Sequence, residues 1–178
     1  MTCTVEFRVT GPGWADLVLR AGEKSLVLRG ISYTTDALGA LVRAALMIAT
    51  GGYSAQVSFD NEPGEHRLVL TSHLDMASGN GPLSIVALEL ADLYAASPNA
   101  EGHQTFIADC EALDFGRAVL ACALGAQESF GARYDWGGNG FPLGAMRALE
   151  VALAVRDLPK PPPDPNGTSW TISVPKTK

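Results

Sequence analysis

The hydrophobic period of this chain changes near residue 33, and that change decides its fold class. Cys3, Val5, Phe7 and Val9 alternate with Thr4, Glu6, Arg8 and Thr10. Period two means a strand with one buried face. Gly11-Pro12-Gly13 ends it, and WADLVLR (14–20) and KSLVLRGI (24–31) supply two more strands around a turn at Ala21-Gly22-Glu23. In TTDALGALVRAALMIATGG the spacing becomes helical. Leu38, Leu41, Val42, Ala45 and Ile48 or Ala49 form the main stripe, Leu46 and Met47 widen it, and Arg43 is the one charge after Asp36. A helix this apolar is mostly buried. Thr34 or Thr35 is the expected N-cap, with Asp36 in the first turn, and Gly51-Gly52 supplies the stop.

Strands then return at 54–60, 65–73, 82–90 and 104–110. A second helix is expected over about 112–128, with Asp114, Arg117, Ala121, Gly125 and Glu128 on its polar or small face and Leu113, Val119, Leu120 and Leu124 on its apolar side. Pro142 suits the first turn of a third helix running to about Arg156. The expected architecture is α+β: an antiparallel sheet of about six or seven strands with two or three helices packed on one face. Residues 1–157 make a single domain, and 158–178 a proline-rich tail. Five of the eleven prolines fall in PKPPPDP (159–165), a polyproline-II spacer composition containing Pro159-x-x-Pro162. Beyond it SWTISV (169–174) could form one short strand that adds to a sheet edge.

Composition excludes several functions. Of the 178 residues 47% are hydrophobic and 18% charged, a globular balance, and the formal net charge is −6. An acidic chain whose cations do not cluster repels phosphate backbones, so no nucleic-acid partner is expected. There is no basic-then-apolar leader and no apolar run of transmembrane length, which argues against a membrane and for the cytoplasm. Cys3, Cys110 and Cys122 are odd in number and far apart, without a C-x-x-C, and read as free thiols. His66, His73 and His103 have no metal-ligand spacing. No G-x-S-x-G or Walker sequence occurs, and Gly138-Asn139-Gly140 follows a helix instead of a strand, so no cofactor is expected.

The stretch densest in catalytic residue types is FDNEPGEHRLVL (59–70). A turn at Pro63-Gly64 would set Phe59 against Leu68, Val57 against Leu70, Asp60 against Arg67 and Asn61 against His66, with a loop over Glu62 to Glu65. That register buries both apolar sets on one side and leaves Glu62 and Glu65 in water. Glu62, Glu65 and His66 are then weak candidates for acid–base work or metal ligation, since such chemistry needs a cleft that shifts their pKa values. Tyr134, Asp135, Trp136 and Phe141, in the loop before the third helix, are interaction candidates, because loop aromatics bury much area at small entropic cost. The competing reading pins Trp136 and Phe141 to the core.

Three pieces, SYTTDALGALVRA (32–44), VSFDNEPGEHRLVL (57–70) and FGRAVLACALG (115–125) with FPLGAM (141–146), resemble in this order a group of small bacterial proteins built on a domain of unknown function. The resemblance spans about 32–149 and implies a bacterial, cytoplasmic α+β protein in which the EPGE turn matters for the fold. It implies no activity. The first expectation for function is a non-enzymatic protein-binding or accessory domain, immunity-like or self-associating. The alternative is a small-molecule-binding protein or small enzyme with a pocket between sheet and helices, and Glu62, Glu65, His66 or Asp135 at its mouth.

Overall fold

The computed structural model describes residues 2–73, 80–131, 136 and 138–157. The expected strand at 169–174 lies outside the described residues. Each alternating stretch is a strand: β1 (Cys3–Gly11), β2 (Trp14–Ala21) and β3 (Lys24–Ser32) before the first helix, then β4 (Ser54–Asp60), β5 (Glu65–Ser72), β6 (Pro82–Leu90) and β7 (His103–Glu111) after it. The helices are α1 (Ala37–Ala49), α2 (Ala112–Phe130) and α3 (Leu143–Asp157). The fold is α+β, as expected. The seven strands among the described residues are divided between two antiparallel meanders, a three-stranded sheet in the order β1-β2-β3 and a four-stranded sheet in the order β4-β5-β6-β7.

Helix α1 buries nearly all of its length, from Ala37 to Ala49, and packs on β4, α2 and α3. One continuous apolar cluster draws on both sheets and all three helices, with Leu17, Leu19, Leu38, Leu41, Ile48, Phe59, Leu68 and Phe115 closed to solvent. The N-cap of α1 is Asp36, whose side chain accepts from the Gly39 N–H; it is neither Thr34 nor Thr35. Both threonines have other duties. Thr34 Oγ1 donates to Asp60 Oδ2 at 2.9 Å, and the Thr35 carbonyl accepts from Trp136 Nε1 at 2.8 Å.

The β4–β5 register differs from the expected one by two residues. Val57 faces Leu68, Phe59 faces His66, Ser58 faces Arg67 and Asp60 faces Glu65. A shift of two keeps every side chain on its face, so apolar alternation is satisfied by either register. The loop is Asn61–Gly64, with a cis Glu62–Pro63 peptide and the Asn61 N–H donating to the Gly64 carbonyl at 2.9 Å. Gly64 lies so close to the end of β6 that a Cβ there would strike the Leu90 carbonyl oxygen, a backbone atom that cannot step aside. Gly64→Ala should therefore destabilise the protein by about 1–3 kcal/mol, the usual range for overpacking. Urea unfolding at neutral pH measures this; an unchanged midpoint would show that the hairpin tip has slack.

Candidate functional site

The hairpin tip is roofed over, and this corrects the expectation that its two glutamates stand in water. Glu65 and Asp60 are fully buried, Arg67 is 2% exposed and Glu62 alone remains exposed. The expected Asp60–Arg67 pair does not form. Arg67 Nε instead donates to Glu65 Oε1 at 2.6 Å, two residues away on the same strand face. The roof is the segment after β6. The Ala95 N–H donates to Glu65 Oε2 at 2.7 Å and the Tyr94 N–H to Asp60 Oδ1 at 3.2 Å. Arg67 Nη1 donates to the Ser97 carbonyl at 2.8 Å and to Asn99 Oδ1 at 2.7 Å. Glu62 accepts from Ser32 Oγ at 2.7 Å.

Such a cluster is structural chemistry. Burial alone would raise the Glu65 pKa, but donors from Arg67, Ser58 and the Ala95 N–H, together with the Arg67 charge, hold it below the ordinary value of 4.5. Both of its oxygens are occupied, and so are both of Asp60's. His66 points to the opposite face of β5 from Glu65, where Nε2 lies 2.9 Å from Asn61 Nδ2 and 3.3 Å from the Arg29 carbonyl oxygen. Glu62, Glu65 and His66 thus do not converge on a common point. Among the described residues no group of three His, Cys, Asp or Glu side chains is placed to hold a metal ion.

Of the interaction candidates, Trp136 is 2% exposed, edge-on to Phe7 with ring centroids 5.5 Å apart. Phe141 is half-buried against the core. Tyr134 and Asp135 lie outside the described residues.

A cavity lies elsewhere, away from the hairpin tip. A groove of about 930 Å³ runs between β1 and α2, lined by residues 2–9 of the strand and by one stripe of the helix, from Asp114 and Arg117 past Ala118, Ala121, Cys122 and Gly125 to Phe130. Among the described residues β1 is an edge strand, paired with β2 alone. The Thr2 carbonyl accepts from the Gly22 N–H on the β2 side, and peptide groups alternate in direction along a strand. Peptide groups of even residues therefore face β2, and those of Cys3, Val5, Phe7 and Val9 face the groove. No strand pairs with that side among the described residues.

The helix wall is low. A Cβ added at Gly125 would have no atom within 4 Å, so no packing contact requires glycine in the middle of this helix. The groove is mainly apolar, with charge at its rim: Glu6 is held below the usual carboxylate range by hydrogen bonds from Arg8 and Arg20, and Arg117 bridges Asp114 at 3.2 Å and Asp157 at 2.5 Å. Burial pushes the Cys122 thiol up to about 11 against the opposing Phe7 N–H. At the far end the Cys3 and Cys110 thiols hydrogen-bond each other, which lowers Cys3 and raises Cys110. None of Glu62, Glu65 or His66 reaches the groove.

Asp114, Arg117, Ala121 and Gly125 share one face of α2 by helical spacing, but that this face is a groove wall depends on what stands opposite. A glycine in mid-helix among small residues was the available signal. Comparison with protein-family models, curated proteins and solved structures returned no match. No described helix is long and apolar enough to cross a membrane.

Two outcomes follow for the buried cluster. Arg67→Ala strands a buried carboxylate and should cost about 3–5 kcal/mol in urea unfolding at pH 7. Because the folded pKa of Glu65 is depressed, its contribution is complete above the ordinary value of 4.5 and is lost as pH falls below it towards the folded value. Glu65→Gln should therefore lower stability at pH 7 and flatten the fall in stability below about pH 4.5; an acid limb as steep as the parent's would remove Glu65 from this role.

Proposed function

We propose that this chain is a cytoplasmic, non-enzymatic protein-binding module that takes an extended segment as an added strand on β1. One observation carries the reading: the outward peptide groups of β1 line a groove whose opposite wall is the small-residue face of α2. Main-chain hydrogen bonds to an open edge supply affinity, and pockets for alternate side chains supply selectivity. At about 3.3 Å per residue, Cys3 to Val9 offers an edge of about 20 Å, enough for a segment of six or seven residues. Alanine, cysteine and glycine on α2 leave room for the segment's larger side chains. An enzymatic reading draws no support from the groove, since the acids and bases near it are engaged in ion pairs at its rim.

The test uses fluorescence anisotropy with labelled eight-residue peptides carrying apolar residues at alternate positions. Expected Kd values are micromolar, about −8 kcal/mol. Gly125→Leu should weaken binding at least about tenfold by filling the groove, while making the protein more stable by about 0.5–1 kcal/mol, because glycine is a poor residue for a helix interior. Val9→Pro removes one outward N–H and should also weaken binding. Peptides that bind Gly125→Leu as well as the parent would refute the groove as their site.

A further inference from the structure

We propose that the resident occupant of this groove is the chain's own C-terminal segment, Ser169–Val174, added to β1 as a strand in cis. The inference rests on the reading of the groove as a strand-accepting site and names what fills it. Three observations support it.

The first is where the described chain ends. Helix α3 finishes at Asp157, and the Asp157 carboxylate accepts from Arg117 Nη2 at 2.5 Å. Arg117 itself lines the groove. The last described residue of the helix therefore stands beside it, and 21 residues of sequence, 158–178, follow.

The second is reach. Residues 158–168 separate Asp157 from Ser169, and this stretch holds the PKPPPDP run. A polyproline-II chain advances about 3.1 Å per residue, so eleven residues span roughly 30 Å, more than the length of the groove. A tether of this length also keeps the effective concentration of the segment high, in the millimolar range of short linkers.

The third is pattern. SWTISV alternates Ser169, Thr171 and Ser173 with Trp170, Ile172 and Val174. It has period two, is rich in aromatic and β-branched residues, carries no charge and is closed by Pro175. Laid along β1, one face of the added strand turns towards α2. Its indole and branched side chains match a wall that is low because it is built of small residues such as Ala121 and Gly125. A helix wall of large residues would leave no room for them.

Amide hydrogen exchange in the full chain tests this at single atoms. If the segment occupies the groove, the Val5 and Val9 N–H groups, which face it, exchange at least about tenfold more slowly in the parent than in the Ile172→Asp variant. The Thr4 and Glu6 N–H groups, which face β2, stay equally protected in both and show that the fold is unchanged. The protection is independent of protein concentration. Ile172→Asp should also bind the labelled peptides at least about threefold more tightly than the parent, because the internal competitor is gone. Free exchange at Val5 and Val9 in the parent overturns the proposal. So does protection that appears only as concentration rises, which would assign the occupant to a second copy. The two readings fail differently. If peptides bind the parent while Val5 and Val9 exchange freely without them, only the tail's role is lost. If neither chain binds peptide and the amides are open in both, the groove reading falls as well.

Discussion

Burial of α1 is the constraint on which the other elements depend. Its apolar residues continue around most of its circumference, with Leu38, Leu41, Val42, Ala45 and Ile48 wholly closed to solvent. One partner cannot cover such a helix. It takes three, with β4 on one side and α2 and α3 on others. That requirement fixes α2. The side of α2 bearing Leu113, Phe115, Val119 and Ala123 is used in the core. Gly116 allows Leu153 of α3 to approach closely, with 3.1 Å between its side chain and the place a Cβ would take. The remaining stripe, Asp114 to Ser129, is left standing beside β1. The groove is thus the by-product of covering α1, kept open because its helix wall is made of small residues.

The polar cluster at the β4–β5 tip serves the same packing by another route. The segment joining β6 to β7 crosses the hairpin with few apolar side chains of its own, and Tyr94 is 69% exposed. It is held mainly through its backbone: the Tyr94 and Ala95 N–H groups to two buried carboxylates, and the Ser97 carbonyl to a buried guanidinium. Charge-assisted bonds of this kind are stronger than neutral ones, and inside a protein they are costly to break singly. A crossing fastened in this way has a fixed path, where apolar contact alone would let it slide.

The legible parts of the sequence were those governed by burial on one face. The seven strands and three helices among the described residues match expected elements, the third helix marked by Pro142, with ends within one or two residues of the structure in most cases. The division into two sheets was not legible, because apolar alternation says that a strand has a buried face without saying which strand lies beside it. The β4–β5 register failed for a related reason: a shift of two residues satisfies the same alternation, and the choice depends on the fit of Glu65 and Arg67 to residues 94–99, about thirty positions along the chain. Glu65 read as a solvent group because its burial rests on those distant backbone donors. Trp136 sits in the core, hydrogen-bonded to Thr35, 101 residues away in sequence. On α2 the small stripe was visible in the sequence, but its meaning depended on what stood opposite.

An open sheet edge is ordinarily a hazard, and chains blunt theirs with charge, proline, bulges or cover. β7 has Lys24 Nζ donating to the Ile107 carbonyl at 2.9 Å, a cation set against that strand. The treatment of β1 is different. Its register is regular from Cys3 to Val9, and the irregularity comes only beyond, before Gly11. The Glu6 and Arg8 side chains pair with each other at the groove rim, where Glu6 also meets Arg20. What limits access is α2. A second sheet brought up edge-on would meet the helix, whereas a single extended segment can slide between helix and strand if its side chains fit the low wall. On the strand-addition proposal, this geometry distinguishes two events that an exposed edge would permit alike, since α2 stands in the way of a second sheet and leaves a groove for a single strand. On the same proposal selectivity comes from the shape of α2, where Ala121 and Gly125 line the groove.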